Sequence, residues 1–101
     1  MNHPVLHLGH FSDFMNTRFT IEVDASRAVS AELVEASALT NTYTLEDSPR
    51  EPFTLVFKLE DGVELPQRSY VVNHPNVGPN EMFLVPIFYP KKGRYLQAIF
   101  N

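Results

Sequence analysis

The sequence predicts an all-β fold, a small antiparallel six-stranded barrel or sandwich with one short N-terminal helix. Apolar and polar residues alternate with a period of two in successive segments that are rich in β-branched and aromatic residues. The connections between these segments are rich in Asn, Asp, Pro and Gly, the residues that form turns. Because the chain has 101 residues, we expect residues 1–101 to form a single domain with one core.

The stretch GHFSDFM, residues 9–15, predicts one helical turn ahead of the first strand. We expect Ser12 or Asp13 to cap its first N–H groups, and Asn16 to end it in the left-handed conformation. The apolar side chains of this turn should then cover one open end of the sheet. They are Phe11, Phe14 and Met15.

Six segments have the strand pattern. In RFTIEV, for example, Phe19, Ile21 and Val23 share one face, and in FTLVFKL the apolar residues alternate in the same way. The segment AELVEASAL has the alanines and glutamates of a helix, but its apolar residues form no clean helical stripe, so we interpret it as a strand. The predicted strands are 18–23, 31–39, 53–59, 67–73, 81–88 and 93–100.

Turn signals define the connections. Residues 24–30 predict a short polar link between the first two strands. Asp61-Gly62 is the pair that a type I′ hairpin prefers, because both central positions need positive φ. It therefore predicts that strand 53–59 pairs with the segment leading to Tyr70. Residues 40–52 are the longest polar connection.

The strand EMFLVPIF, residues 81–88, is apolar on both faces. Phe83, Val85 and Ile87 point one way, while Leu84 and Phe88 point the other. A strand with this pattern is covered on both sides, here by the barrel interior on one side and by the N-terminal lid or a second subunit on the other. The predicted interface residues are Leu84, Phe88 and Tyr89.

Charge and composition exclude several classes of protein. The formal net charge of −4 disfavours nucleic-acid binding, and the absence of cysteine excludes disulfides and thiolate sites. The basic cluster YPKKGRY, residues 89–95, is better explained as a hairpin turn than as a nucleic-acid site, because Pro90 and Gly93 punctuate it. No segment is long and apolar enough for a membrane helix, and the N-terminus has no signal-peptide pattern, so we expect a cytoplasmic protein.

Histidines are the remaining candidates for chemistry. His3, His7 and His10 would share one face of a helix, but Pro4 and Gly9 interrupt that stretch, so we predict no metal site and no cofactor. His74 could serve as a general base, with Ser69 and Asp61 near it in sequence. A turn histidine that hydrogen-bonds backbone groups is the simpler interpretation, and we predict no catalytic residue.

The C-terminal half runs FTLVFKL, LPQRSYVVNHPNVG, EMFLVPIF and GRYLQAIFN, and it resembles the small bacterial domains of the DUF6916 family. The resemblance implies no activity. It implies structural roles, with Gln67 and Tyr70 satisfying buried backbone groups and Pro86 at an edge or bulge. The matching positions are Phe53, Leu55, Phe57, Leu65, Gln67, Tyr70, His74, Phe83, Leu84, Val85, Pro86, Tyr95, Phe100 and Asn101.

Three functions are open at this point. The leading hypothesis is a non-enzymatic interaction or assembly domain that self-associates or binds a protein partner, because a two-sided apolar strand is present without a reactive constellation. The family resemblance adds an accessory role beside phage-tail-like or surface proteins. The alternatives are a small-ligand-binding barrel, with a cavity lined by Phe57, Tyr70, Phe83 and Tyr95, and a hydrolase that uses His74.

Overall fold

The strands of this protein close into a six-stranded antiparallel barrel. The computed structural model describes residues 7–38 and 52–100. Around the barrel the strand order is β1-β2-β3-β6-β5-β4, and β4 pairs with β1 to complete the circle. The elements are α1 (Gly9–Ser12), β1 (Arg18–Asp24), β2 (Arg27–Ala38), β3 (Phe53–Leu59), β4 (Arg68–Asn73), β5 (Asn80–Tyr89) and β6 (Gly93–Phe100).

The predicted fold class is therefore confirmed, and of the two predicted architectures the chain adopts the barrel. Residues 31–38 of the ambiguous segment lie in β2, where the long run of pairs with β1 and β3 outweighs the helical composition, and Leu39 lies outside the described residues. Within the described ranges, no helix is long and apolar enough to cross a membrane.

Side chains fill the interior of the barrel. Alternate residues of each strand point inward. The exposed fraction of the inward residues Phe19, Ile21, Leu55 and Phe57 is at most 1%. Barrels of about eight strands already have interiors that side chains fill, and six strands enclose less space. The largest fully buried side chains are Phe11, Phe19, Phe53, Phe57, Ile21, Leu33, Leu55, Leu84, Leu96 and Val72.

The short helix α1 covers one end of the barrel. Phe11 is fully buried, and its ring lies 6.1 to 6.4 Å from the rings of Phe19, Phe53 and Phe100, which belong to strand ends at this end of the barrel. Phe14 and Met15 pack against the core from outside. The N-terminal segment is thus a lid, in the arrangement that the sequence predicted.

The caps of α1 differ from the prediction. The helix begins at Gly9 with Leu8 at the N-cap and no side-chain cap, and Ser12 is its last residue. Ser12 and Asp13 therefore follow the N–H groups that they were predicted to cap, and that prediction is wrong. Asn16 does adopt the left-handed conformation, with φ of 64°, but it lies beyond the C-cap Asp13 and so does not end the helix. Its N–H donates to the Leu33 carbonyl at 2.7 Å. This bond ties the exit of the lid to β2.

The segment between β3 and β4 crosses the other end of the barrel. The Asp61-Gly62 hairpin prediction is wrong, because β3 and β4 lie on opposite sides of the barrel and do not pair. The turn itself forms, with the Val63 N–H 3.1 Å from the Glu60 carbonyl, but of its two central residues only Gly62 has positive φ, as in a type II turn. Leu65, 3% exposed, then inserts into this end of the core.

The β1–β2 connection is tighter than predicted. Asp24 pairs with Arg27, so residues 27–30 belong to β2 and only Ala25 and Ser26 form the turn. The Asp24 carboxylate accepts the Ser26 N–H at 2.8 Å and its hydroxyl at 3.0 Å. These bonds hold the pKa of the Asp24 carboxyl below its ordinary value. They are present at neutral pH and are lost as the pH falls through that lowered pKa.

The lid should contribute strongly to stability. Phe11→Ala removes a fully buried ring and leaves a cavity, so we expect the free energy of unfolding to fall by about 3–5 kcal/mol. Phe88→Ala is the matched control, because that ring is 59% exposed and its loss should change stability by less than about 1 kcal/mol. Urea unfolding followed by circular dichroism measures both, and equal effects would contradict the lid.

Candidate interaction surface

The exposed large hydrophobic side chains of the described residues all lie on one hairpin. Phe83, Phe88 and Tyr89 belong to β5 and Ile99 belongs to β6, and each of the four is 47–59% exposed. Single exposed apolar residues are ordinary in soluble proteins, but a cluster on adjacent strands indicates an interaction site. The β5–β6 hairpin is therefore the surface whose geometry needs an explanation.

The two strands place most of these residues on one face. Val85 pairs with Gln97 and Ile87 pairs with Tyr95, so the outward side chains of both strands lie side by side. The Tyr89 and Tyr95 rings meet edge to face at 5.2 Å. We call this surface the outer hairpin face. It consists of Phe83, Val85, Ile87 and Tyr89 of β5, and Tyr95, Gln97 and Ile99 of β6.

The polar residue Gln97 lies at the centre of the outer hairpin face, and its side-chain amide forms a hydrogen bond to the neighbouring strand β3. The Gln97 Nε2 donates to the Thr54 hydroxyl at 3.3 Å, and that hydroxyl donates to the Ala98 carbonyl at 3.1 Å. Thr54 is only 6% exposed although it lies on an outward position of β3. Because the Gln97 amide already has a protein partner, burial of this face against another surface would leave fewer polar groups unpaired.

The opposite face of the hairpin lies over a cleft at the crossed end of the barrel. Phe88 and Arg94 pair across the hairpin, and the Arg94 guanidinium stands 5.0 Å from the Phe88 ring centroid. Arg94 also reaches Glu64 of the crossing segment at 3.7 Å. The cleft between the hairpin and the crossing segment has a volume of about 390 Å³. Ile87 and Tyr95 border both this cleft and the outer hairpin face. The full lining is Leu59, Glu64, Leu65, Pro66, Pro86, Ile87, Phe88, Arg94 and Tyr95.

The structure reverses the two faces of β5 relative to the predicted interface. Leu84 is fully buried in the barrel, so its assignment to an interface is wrong, whereas Phe83 is 51% exposed. The alternation itself was right, but with apolar residues on both faces it does not say which face is inside. Phe88 and Tyr89 are exposed, as an interface requires, although they lie on opposite faces of the strand.

The predicted cavity residues are not brought together. Phe57 and Tyr70 lie in the core, Phe83 points outward, and Tyr95 is half-buried on the outer hairpin face. The barrel interior at these positions is occupied by packed side chains, and the ligand hypothesis loses its predicted lining.

Two motif residues of the crossing segment have different roles. The Tyr70 hydroxyl donates to the Pro66 carbonyl at 2.5 Å, the arrangement of a tyrosine corner, in which the hydroxyl reaches backbone a few residues upstream. Gln67 is exposed, so its predicted contact with a buried backbone group is wrong. The crossing segment brings Pro66 close to the Tyr70 ring and turns Gln67 toward solvent.

His74 holds the lid against the barrel. It is 8% exposed, with its ring centroid 4.9 Å from that of Phe14 and 4.5 Å from that of Phe19. Its Nδ1 accepts the Asn76 N–H at 3.1 Å, which assigns the proton of the neutral ring to Nε2. Nε2 then donates to the Thr17 hydroxyl at 3.1 Å, and that hydroxyl donates to the Phe14 carbonyl at 2.6 Å.

This geometry does not assemble the hydrolase residues that the sequence suggested. Ser69 is near the start of β4 and His74 follows its end, which separates them by roughly 16 Å along the strand. Asp61 lies in the segment that crosses the far end of the barrel. Both ring nitrogens of His74 have structural hydrogen bonds, as the turn-histidine interpretation requires.

The N-terminal histidines are only partly within the described residues. His3 lies outside them, while the His7 N–H donates to the His10 Nδ1 at 3.0 Å. Across residues 7–38 and 52–100, no group of three or more His, Cys, Asp or Glu side chains could hold a metal ion.

Comparison with known proteins identifies the family. A family model described as "Domain of unknown function (DUF6916)" matches residues 6–100. The chain belongs to the DUF6916 family. No curated protein and no solved structure matches it. In this DUF6916 domain the matched range spans the lid and all six strands, so the barrel itself is the family unit.

The Thr17–His74 contact should stabilise the DUF6916 barrel. Thr17→Val keeps the shape of the side chain but leaves the buried His74 Nε2 proton without its acceptor, so we expect the free energy of unfolding to fall by about 1–3 kcal/mol. Thr20→Val, at an exposed β1 position, is the control and should stay within about 0.5 kcal/mol. Denaturant titration measures both, and equal stabilities would refute a latching role for this hydroxyl.

Proposed function

We propose that this DUF6916 domain is a non-enzymatic interaction domain whose working surface is the outer hairpin face. The observation that carries the proposal is the concentration of exposed large hydrophobic side chains on β5 and β6. Exposing about half of a Phe or Ile side chain forgoes roughly 1 kcal/mol of its full burial free energy. A surface that covers Phe83, Tyr89 and Ile99 together would recover this stabilisation.

The geometry favours packing on the face over addition of a strand to the edge. Beyond the Arg68–Leu84 pair, β5 pairs with β6 but not with β4. Pro86 lies in this edge segment and cannot donate a backbone hydrogen bond, and Lys91 and Lys92 follow at the turn. Proline and lysine at edges are the features with which natural sheets prevent edge pairing. The side chains of the outer hairpin face therefore supply the recognition.

A photo-crosslinking amino acid at Phe83 tests this function in the cells that make the protein. We expect a discrete adduct of defined mass, because a specific partner covers this position. The same group at Thr20, which is exposed on β1, should give none. The adduct should also weaken when Ile99→Ser is introduced into the Phe83 variant, since Ile99 belongs to the same face. No discrete adduct at Phe83, or an equal one at Thr20, would contradict the proposal.

A second candidate function is the binding of a small ligand in the end cleft. Its volume of about 390 Å³ falls within the range of about 300–1,000 Å³ that ligand pockets occupy, and an apolar floor meets the Glu64–Arg94 pair. A fragment screen by two-dimensional NMR tests it. Binding should shift the amide signals of Leu65 and Tyr95 but spare Ile21 in the barrel wall, and the absence of such hits would exclude this site.

The role beside phage-tail-like or surface proteins stays a prediction from the family resemblance. It is compatible with an interaction domain, because accessory proteins of large assemblies act by binding. Identification of the adduct partner from the Phe83 experiment tests it directly.

A further inference from the structure

We infer that the partner of the outer hairpin face is a second copy of this chain, packed face to face about a two-fold axis with the β5 strands antiparallel. The inference rests on the proposed function, since it names the partner of the same surface. It comes from the order of charges along β5 and the turn that follows it, and from the apolar residues between these charges.

The outward face of β5 is apolar between a negative charge at the start of the strand and positive charges in the turn that follows it. Glu81 is exposed at the end near the lid, and Lys91 and Lys92 are exposed at the turn beyond the other end. Between them lie the outward residues Phe83, Val85, Ile87 and Tyr89. One end of the face is thus acidic, the other is basic, and the region between them is apolar.

This surface is complementary to itself about a two-fold axis that lies in the plane of the interface. The axis runs perpendicular to β5 and passes the strand near Pro86. The axis sets Glu81 of each copy against Lys91 of the other, Phe83 against Tyr89, and Val85 against Ile87. Each contact occurs twice, as in any isologous interface. Two sheets packed in this way are an ordinary aligned sheet pair, in which side chains interdigitate across about 10 Å.

The alternative two-fold arrangement is disfavoured by charge. An axis along the strands brings the two lysine-bearing turns together and places the two Glu81 side chains at the same end. Like charges set opposite each other cost free energy, and charge order commonly fixes the register of an interface. The antiparallel arrangement is the one that pairs opposite charges at both ends.

Analytical ultracentrifugation over a wide concentration range tests the dimer. We expect a concentration-dependent species of twice the mass of the chain. Phe83→Ser should weaken dimerisation at least about tenfold, because it removes an aromatic side chain that meets Tyr89 of the other copy at two symmetric contacts. Phe88→Ser is the matched control, since Phe88 is similarly exposed on the same strand but faces the end cleft, and it should leave dimerisation unchanged. Circular dichroism confirms that both variants fold.

A charge exchange tests the antiparallel register. Glu81→Lys alone and Lys91→Glu alone should each weaken self-association roughly tenfold, because each places like charges at two symmetric contacts. A mixture of the two single variants should dimerise, since the lysine introduced in one copy then meets the glutamate introduced in the other, and the unchanged Lys91 meets the unchanged Glu81. The double variant should also dimerise. Failure of the mixture to associate would overturn this register.

Ultracentrifugation and the Phe83 crosslinking experiment together distinguish failure of the dimer from failure of the proposed function. A strict monomer at every concentration, together with a discrete Phe83 adduct of some other mass in cells, overturns the dimer and leaves an interaction domain with a different partner. A monomer with no Phe83 adduct overturns both. A dimer that Phe88→Ser disrupts and Phe83→Ser does not would show that copies meet through another surface.

Discussion

Closure of the sheet is the constraint on which the rest of the structure depends. The seam between β1 and β4 consists of three paired positions, Thr20 with Asn73, Ile21 with Val72 and Glu22 with Val71. Side-chain bonds reinforce it, because Arg68 donates to the Val23 carbonyl and the Asn73 amide reaches Glu22 at 3.4 Å. Once the seam forms, each of the six strands pairs with one strand on either side, and no strand is left at an open edge of the sheet. The inward side chains are then enclosed on all sides.

This closure determines where the domain can act. The interior is occupied by buried side chains such as Phe19, Leu55 and Phe57, and the ends are covered by Phe11 and Leu65. On the part of the chain that the structure describes, another molecule can therefore reach the outer surface and clefts such as the one at the crossed end. Among the described strands, the β5–β6 hairpin extends past its barrel neighbours, because β4 pairs with β5 up to Leu84 and β3 pairs with β6 up to Tyr95. Phe88 and Tyr89 lie in this extension, whereas the exposed Phe83 and Ile99 belong to the parts of the hairpin that pair with β4 and β3.

The sequence predicts strands well here and their partners less well. Period-two alternation locates β3 and β6 to the residue, because alternation is a local property of a strand with one covered face. Asp61-Gly62 correctly predicts a turn, but which strand pairs with β3 depends on closure of the barrel, a property of the whole chain. The faces of β5 could have been assigned from β6. Gln97 is the polar residue between the apolar Leu96 and Ala98, and the hairpin register sets it opposite Val85, so the face of Phe83 and Val85 is the outer one.

The crossing segment connects the stability of the core to the position of the candidate surface. Leu65 is buried at the end of the barrel, and burial of a leucine side chain contributes about 1.5–3 kcal/mol. The neighbouring Glu64–Arg94 pair is exposed, with 3.7 Å between its atoms, and such pairs contribute less than about 1 kcal/mol. The apolar contact therefore fixes the segment, and the Tyr70–Pro66 bond fixes its exit into β4. Because the crossing segment is fixed, it holds the hairpin in one orientation, and this would lower the ordering cost of the association proposed for the outer hairpin face.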